Sequence, residues 1–228
     1  MLPEIKTNLE VLTRHGSSNN CVVLLHGYGA NNQDLYPLNQ MIRSLDDATW
    51  FFPNAPHALE MGPLTSGRAW FPIDQKALEV AMVTGIPRDY STLVPEGMLE
   101  ASEMVTDLCQ QLTCHYEKVF IGGFSQGAMI SVETILNIKN GIDALFCFSG
   151  TLVCQKRWEE LAKNHGPINI FQSHGKDDPL LSFDYANNLN QFFQTIGGEL
   201  SYVPFQGGHE IPPEVLFQWE QFLKNHLF

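Results

Sequence analysis

The second half of the chain alternates short apolar runs with longer segments in which apolar residues recur at helical spacing. The short runs are typical of strands buried on both faces, and the longer segments are typical of amphipathic helices. Because strands that alternate with helices form parallel βαβ units, the pattern predicts an α/β fold with a mostly parallel central sheet covered by helices on both faces. The predicted strands are KVFIGGF, ALFCFSG, INIFQSHG and ELSYVPF, each followed by a predicted helix.

The first half of the chain is less regular. CVVLLHG and ATWFFPNAP are predicted as two further strands, with a helix in NNQDLYPLNQMIRSL between them. Residues of about 57–95 are rich in Gly and Pro and are predicted to form an irregular loop segment near the functional site. Since the sequence contains no repeat or linker, residues 1–228 are predicted to form a single domain.

The composition argues against several classes of function. The formal net charge is −12, which disfavours nucleic acids and anionic membrane surfaces as partners. The apolar runs are far shorter than the roughly 18 residues that cross a bilayer, and the first residues lack a secretory pattern. The five cysteines include no Cys-x-x-Cys pair, so neither a disulfide framework nor a zinc site is expected. These features predict a cytoplasmic protein without a metal.

Polar or Gly-rich segments follow four of the predicted strands. These segments are HGYGANN, GFSQG, SHGKDDP and QGGHEIPP. Because ligands bind at the carboxyl ends of parallel strands, we expect the four segments to meet at one edge of the sheet. In GFSQG, Gly123 and Gly127 would allow a sharp strand-to-helix turn that exposes the hydroxyl of Ser125. The motif is also compatible with an ordinary loop, so Ser125 is predicted as a nucleophile only together with its partners.

A serine nucleophile needs a general base and a carboxylate that orients this base. In sheets of this type the order along the chain is serine, carboxylate, histidine. His209 follows the last predicted strand and fits the base, whereas Asp177 and Asp178 fit the carboxylate equally well. His26 and His174 each end a strand before a glycine, and both are predicted to tie adjoining loops together.

A serine that attacks a carbonyl group also needs two N–H donors for the oxyanion that develops. The backbone N–H groups of Tyr28 and Gln126 are predicted to supply them, because one follows an early strand and the other opens a helix. The alternative for GYGANN is a dinucleotide-binding turn. That alternative is disfavoured because Asn32 replaces the third glycine and no acidic residue ends a second strand.

Six segments between residues 25 and 214 carry a family resemblance: LHGYGANNQDL, PNAP, RAWFPID, GGFSQGAM, HGKDDPL and GHEIPPE. Together they resemble the bacterial carboxylesterase/phospholipase group of the α/β-hydrolases, which is related to acyl-protein thioesterases. The resemblance implies an α/β-hydrolase fold and selects Asp178, the aspartate before Pro179, as the acid. It also implies Ser125 as nucleophile, His209 as base, and Tyr28 and Gln126 as oxyanion donors. Tyr28 stands where the thioesterases usually have leucine, which is expected to alter the mouth of the acyl pocket.

The expected activity is hydrolysis of carboxylic esters of small to medium acyl chains through an acyl-enzyme, without a cofactor. The expected substrate is a small-molecule or lipid-derived ester, and the expected protein is a monomer or homodimer without stable membrane insertion. Alternatives are a thioesterase or lysophospholipase with the same residues, or a non-catalytic hydrolase-like binding protein. Trp70 and Phe71 are candidate substrate contacts; together with Leu78, Val80 and Met82 they either line an acyl tunnel or pack on the core.

Overall fold

The computed structural model describes residues 5–60, 66–74, 76, 80, 83–84 and 88–226. Among these residues, seven strands form one sheet and two form a separate hairpin. The strands are β1 Val11–Arg14, β2 Asn20–Leu25, β3 Thr49–Pro53, β4 His57–Glu60, β5 Ser66–Ala69, β6 Lys118–Phe124, β7 Ala144–Phe148, β8 Asn169–Gly175 and β9 Leu200–Phe205. The α-helices that lie entirely within the described residues are α1 Met98–Thr113, α2 Gln126–Asn137, α3 Gln155–Ala162, α4 Phe183–Ile196 and α5 Pro213–His226.

The sheet has the strand order β1-β3-β2-β6-β7-β8-β9. Only β1 is antiparallel to its neighbour; the pairs from β3 to β9 are all parallel. Alternate residues of β2 belong to two different core clusters, so the sheet is covered on both faces. Helices α1 to α4 contribute to one cluster, and α5 with two 3₁₀-helices contributes to the other. The predicted α/β architecture is confirmed.

Two parts of the first half differ from the prediction. The segment expected to form one helix forms two 3₁₀-helices, Tyr36–Gln40 and Arg43–Leu45, because Ile42 between them is extended (φ −101°, ψ 97°). The segment predicted to be irregular contains the β4–β5 hairpin. Of the apolar residues predicted there, Val80 is exposed, whereas Leu78 and Met82 lie outside the described residues.

An ion pair between a buried carboxylate and a partly exposed arginine anchors α2 to α3 on one face of the sheet. The Glu133 carboxylate is fully buried and accepts hydrogen bonds from Arg157 Nε at 3.0 Å and Nη2 at 2.6 Å. It also accepts from Trp158 Nε1 at 2.8 Å. Since an unpaired buried carboxylate is costly, this contact fixes how α2 packs on its neighbour.

Candidate active site

A cavity of about 140 Å³ lies at the carboxyl edge of the sheet, where β2, β6, β8 and β9 end. Its polar lining includes Tyr28, Ser125, Gln126 and His209, so residues from three of the four predicted segments meet here. Leu180 and Leu181, which directly follow the fourth segment, also line the cavity. The rest of the lining is mostly apolar and consists of Gly27, Phe71, Ile73, Tyr90, Phe124 and Met129.

Ser125 occupies a strained turn between β6 and α2. Its φ of 57° and ψ of −117° lie where side chains are rarely found, and it is the residue immediately before α2 begins. A Cβ on Gly123 would lie 2.4 Å from the carbonyl carbon of Gly127, and one on Gly127 would lie 2.2 Å from the Leu25 oxygen. The predicted reason for the two glycines is therefore confirmed: β6, α2 and β2 approach too closely for larger residues.

The structure separates the two adjacent aspartates. His209 Nδ1 lies 2.6 Å from Asp178 Oδ2, and the other carboxylate oxygen accepts from the backbone N–H groups of Leu180 at 2.8 Å and Leu181 at 2.9 Å. Asp177 is exposed and accepts a hydrogen bond from the side chain of Gln206 instead. Because a carboxylate can only accept, the hydrogen of the imidazole lies on Nδ1 and leaves Nε2 as the basic nitrogen.

Asp178 is held in its ionised form. Burial by itself would raise the pKa of this carboxyl. The hydrogen bond from His209 and the two backbone N–H bonds outweigh burial, so the pKa of Asp178 lies below its ordinary value. The carboxylate is therefore able to stabilise a positive charge on the His209 ring.

The two predicted oxyanion donors, Tyr28 and Gln126, both line the cavity. Gln126 is the first residue of α2, so its N–H has no acceptor within the helix and carries the positive end of the helix dipole. Tyr28 lies on the loop after β2, and this loop is held by the hairpin: Gly29 N donates to Arg68 O at 2.9 Å, and Arg68 N donates to Ala30 O at 2.8 Å.

The side chain of Gln126 links these two regions. It is 1% exposed; its Oε1 accepts from Trp70 N at 2.8 Å, and its Nε2 donates to Phe71 O at 2.7 Å. Trp70 Nε1 in turn donates to His26 O, at the start of the oxyanion loop, at 2.9 Å. These side-chain contacts of Gln126 were not predicted, because no local sequence pattern reveals a partner 55 residues away.

The two candidate substrate contacts have different surroundings. Phe71 lines the cavity, whereas the side chain of Trp70 is fully buried and packs against the His26 ring, with centroids 5.5 Å apart. The Trp70 side chain belongs to the buried core, and Phe71 stays a predicted substrate contact. Ile73 and Tyr90 of the same segment line the cavity and were not predicted.

The two histidines predicted to be structural tie loops together, as expected. His26 Nδ1 donates to Gly27 O at 2.8 Å, and its Nε2 accepts from Ala55 N at 3.1 Å. Burial lowers the pKa of His26 to about 4, so the ring is neutral near pH 7. His174 Nε2 lies 2.8 Å from Leu181 O, which connects the end of β8 to the loop that carries Asp178.

A family model described as Phospholipase/Carboxylesterase matches residues 6–227 of the chain. The chain belongs to the phospholipase/carboxylesterase family. Acyl-protein thioesterase 1 of Candida albicans is 27% identical, over 92% of this chain and 93% of the relative. A protein of Oryza sativa subsp. japonica, named "Probable carboxylesterase", is 29% identical, over 90% of this chain and 77% of its own. The crystal structure of esterase PE8 superposes with a TM-score of 0.79 and 27% identity, covering 96% of this chain and 99% of that one.

This phospholipase/carboxylesterase family member is therefore an esterase with an α/β-hydrolase fold. None of the helices in the described part of the chain combines the length and apolar character that crossing a membrane requires. Within the same residues, no three side chains among His, Cys, Asp and Glu are grouped to hold a metal ion.

Proposed function

We propose that Ser125, His209 and Asp178 form a catalytic triad that hydrolyses carboxylic esters of small to medium acyl chains. The observation that carries this proposal is the hydrogen bond from His209 Nδ1 to Asp178, on a ring that lines the same cavity as Ser125. Because Nδ1 carries the hydrogen, Nε2 is the nitrogen of His209 that we propose for proton transfer with the serine.

In the first half-reaction, Ser125 Oγ attacks the ester carbonyl carbon while His209 Nε2 accepts the hydroxyl proton. The carbonyl oxygen becomes an oxyanion that accepts hydrogen bonds from the backbone N–H groups of Tyr28 and Gln126. When the carbon–oxygen bond to the alcohol breaks, His209 returns the proton to the leaving alcohol. The acyl group is then bound to Ser125 as an ester.

The second half-reaction repeats these steps with water. His209 Nε2 removes a proton from a water molecule, and the resulting hydroxide attacks the acyl carbon. The second oxyanion is stabilised by the same two donors, and the proton on His209 passes to Ser125 Oγ as the acid leaves. In both halves Asp178 stabilises the imidazolium form of His209. The residues named here account for each proton transfer without an organic cofactor.

The cavity volume supports short acyl chains. An apolar cavity of about 150 Å³ holds a molecule the size of benzene, and this cavity measures about 140 Å³. Acyl groups of about six carbons are therefore expected to fill it. Its apolar walls, which include Phe71, Met129 and Leu181, contribute no charge that would favour a charged acyl group.

A series of p-nitrophenyl esters from acetate to palmitate tests this function. We expect kcat/KM to be highest for the short and medium chains and Ser125→Ala to abolish hydrolysis of all of them. The adjacent aspartates form a matched pair: Asp178→Asn should lower kcat by about 10⁴-fold, whereas Asp177→Asn should have little effect. Full activity in Ser125→Ala, or loss in Asp177→Asn alone, would contradict the assignment.

Thioester hydrolysis is the second candidate, since the relative from Candida albicans is named an acyl-protein thioesterase. The same serine and oxyanion donors can act on a thioester carbonyl. Rates with hexanoyl and palmitoyl thioesters, measured beside the matching esters and a lysophospholipid, separate the possibilities. Preference for the palmitoyl thioester would favour the thioesterase; preference for the lysophospholipid would favour a lysophospholipase.

The proposed setting is the cytoplasm, with the protein as a monomer or homodimer and a small-molecule or lipid-derived ester as its substrate. All five cysteines are free thiols, which agrees with a reducing compartment. Sedimentation analysis tests the oligomeric state, and fractionation of cells that produce the protein tests its location.

A further inference from the structure

A second histidine lies against the Asp178 carboxylate. His174 is the residue before the last of β8, and its side chain is fully buried beneath the loop that leads from β8 to α4. Its Nε2 lies 3.3 Å from Asp178 Oδ2, the same oxygen that accepts from His209 Nδ1. The carboxylate is therefore placed between two imidazole rings.

The hydrogen-bond partners fix which nitrogen of His174 carries a hydrogen. Nε2 is 2.8 Å from Leu181 O, and a carbonyl oxygen can only accept, so Nε2 is protonated. This N–H donates to Leu181 O, and Asp178 Oδ2 lies 3.3 Å from the same nitrogen. Burial lowers the pKa of His174, although Leu181 and Asp178 oppose that effect, so the ring is a neutral donor.

The hydrogen bond from His174 holds the loop that presents the carboxylate. Asp178 Oδ1 accepts from the backbone N–H groups of Leu180 and Leu181, and the carbonyl of Leu181 accepts from His174. This ring of contacts joins β8, the loop and the carboxylate. The geometry leaves Oδ2 facing His209 with little freedom to rotate.

We propose that His174 is a positioning residue for the reaction: its Nε2–H holds the loop of Asp178, and through this loop it holds the carboxylate in the orientation that His209 requires. It does not contact the reacting atoms and acts only through Asp178. The inference rests on the proposed role of Asp178 in catalysis. It goes beyond the structural role predicted for His174, because it assigns an effect on turnover rather than on folding alone.

The test compares His174→Asn with His174→Gln. The shorter asparagine amide does not reach the position of Nε2, whereas the glutamine amide nitrogen does and can donate to Leu181 O. With p-nitrophenyl butyrate as substrate, His174→Asn should lower kcat about tenfold to a hundredfold, as expected for a misplaced catalytic group. KM should change little, and His174→Gln should recover most of kcat.

A double-mutant cycle with Asp178→Asn distinguishes positioning from general damage. If His174 acts through Asp178, His174→Asn should lower kcat by less than about twofold when Asp178 is already asparagine. An equal loss of kcat in both backgrounds would overturn the proposal. A folded His174→Gln variant with a kcat as low as that of His174→Asn would also overturn the proposal. If His174→Asn does not fold, His174→Leu takes its place in this comparison.

The cycle also separates failure of this inference from failure of the proposed function. Full kcat in Asp178→Asn would refute the catalytic set on which the inference rests. A large loss in Asp178→Asn without any loss in His174→Asn would refute only the role of His174. Circular dichroism and thermal unfolding of each variant show whether a loss of kcat accompanies a loss of fold.

Discussion

Replacing Gln126 with alanine should affect stability and turnover together. The substitution removes two buried hydrogen bonds of 2.8 and 2.7 Å and leaves Trp70 N–H and Phe71 C=O without these partners. An unsatisfied buried polar group costs about 1–3 kcal/mol, so the free energy of unfolding should fall by about 2–6 kcal/mol. Because the bonds join the start of α2 to the strand that holds the oxyanion loop, the two N–H donors should also lose their alignment.

The effect on turnover follows from the oxyanion geometry. Loss of one well-placed oxyanion donor costs about 10²–10³-fold in kcat, and a displacement of about 1 Å costs about 10²-fold. We therefore expect Gln126→Ala to lower kcat about a hundredfold, measured with p-nitrophenyl butyrate at a temperature where the variant is folded. The backbone N–H of residue 126 is retained in the variant, so the loss would arise from the side chain.

Gln172→Ala is the matched control. Gln172 is also fully buried, and its side chain donates to Ala186 O at 2.9 Å and accepts from Asn190 at 3.0 Å, both on α4. In Gln172→Ala, the free energy of unfolding measured by urea titration should fall by a similar amount. The kcat of this variant should stay within about threefold of the kcat of the unsubstituted protein. Equal losses of kcat in the two variants, or unchanged kcat in Gln126→Ala, would refute the proposed link between this side chain and the oxyanion donors.

Three further predictions concern packing, charge and pH. Gly127→Ala should cost about 1–3 kcal/mol in urea unfolding because its Cβ would overlap the backbone at the end of β2, whereas Gly166→Ala meets no atom within 4 Å and should be nearly neutral. Arg157→Ala leaves the buried Glu133 carboxylate without its ion partner and should cost about 3 kcal/mol; full stability would contradict this. Burial holds the pKa of His26 near 4, so the unfolded chain takes up the proton first as pH falls. The contribution of the neutral His26 ring to the free energy of unfolding is fully present above about pH 6.5. It declines by about 3 kcal/mol toward pH 4. In His26→Gln, the free energy of unfolding should therefore depend less on pH across that range, as measured by unfolding curves at a series of pH values.

The fold of the second half could be predicted because its elements follow the physical periods of strand and helix. Strands such as ALFCF are buried on both faces of the sheet. Because such strands are apolar throughout, an uninterrupted apolar run in the sequence predicts them. The hairpin of β4 and β5 could not be predicted in the same way. Its strands have four residues each and half of these are polar. They are held by pairing with each other and by the Arg68 contacts to the oxyanion loop. Such tertiary contacts cannot be predicted from local composition.

The residues of the candidate site were likewise predictable from the sequence only in part. The positions of Ser125 and His209 followed from the order of elements, since parallel strands bring their carboxyl ends together. The residues alone did not separate Asp177 from Asp178; the family resemblance selected one, and the turn that gives Asp178 its two backbone N–H bonds places that carboxylate against His209. The contacts of His174 depend on how this turn folds back over β8, which a linear pattern does not encode.

Covalent labelling of Ser125 tests the central claim most directly. A fluorophosphonate probe reacts with a serine only when a neighbouring base activates its hydroxyl and the oxyanion donors are in place. After incubation and proteolysis, mass spectrometry should locate one probe per chain on the peptide that contains Ser125, with ester hydrolysis lost in proportion to labelling. Probe on another residue, or an unlabelled Ser125 in a folded and active protein, would contradict the account.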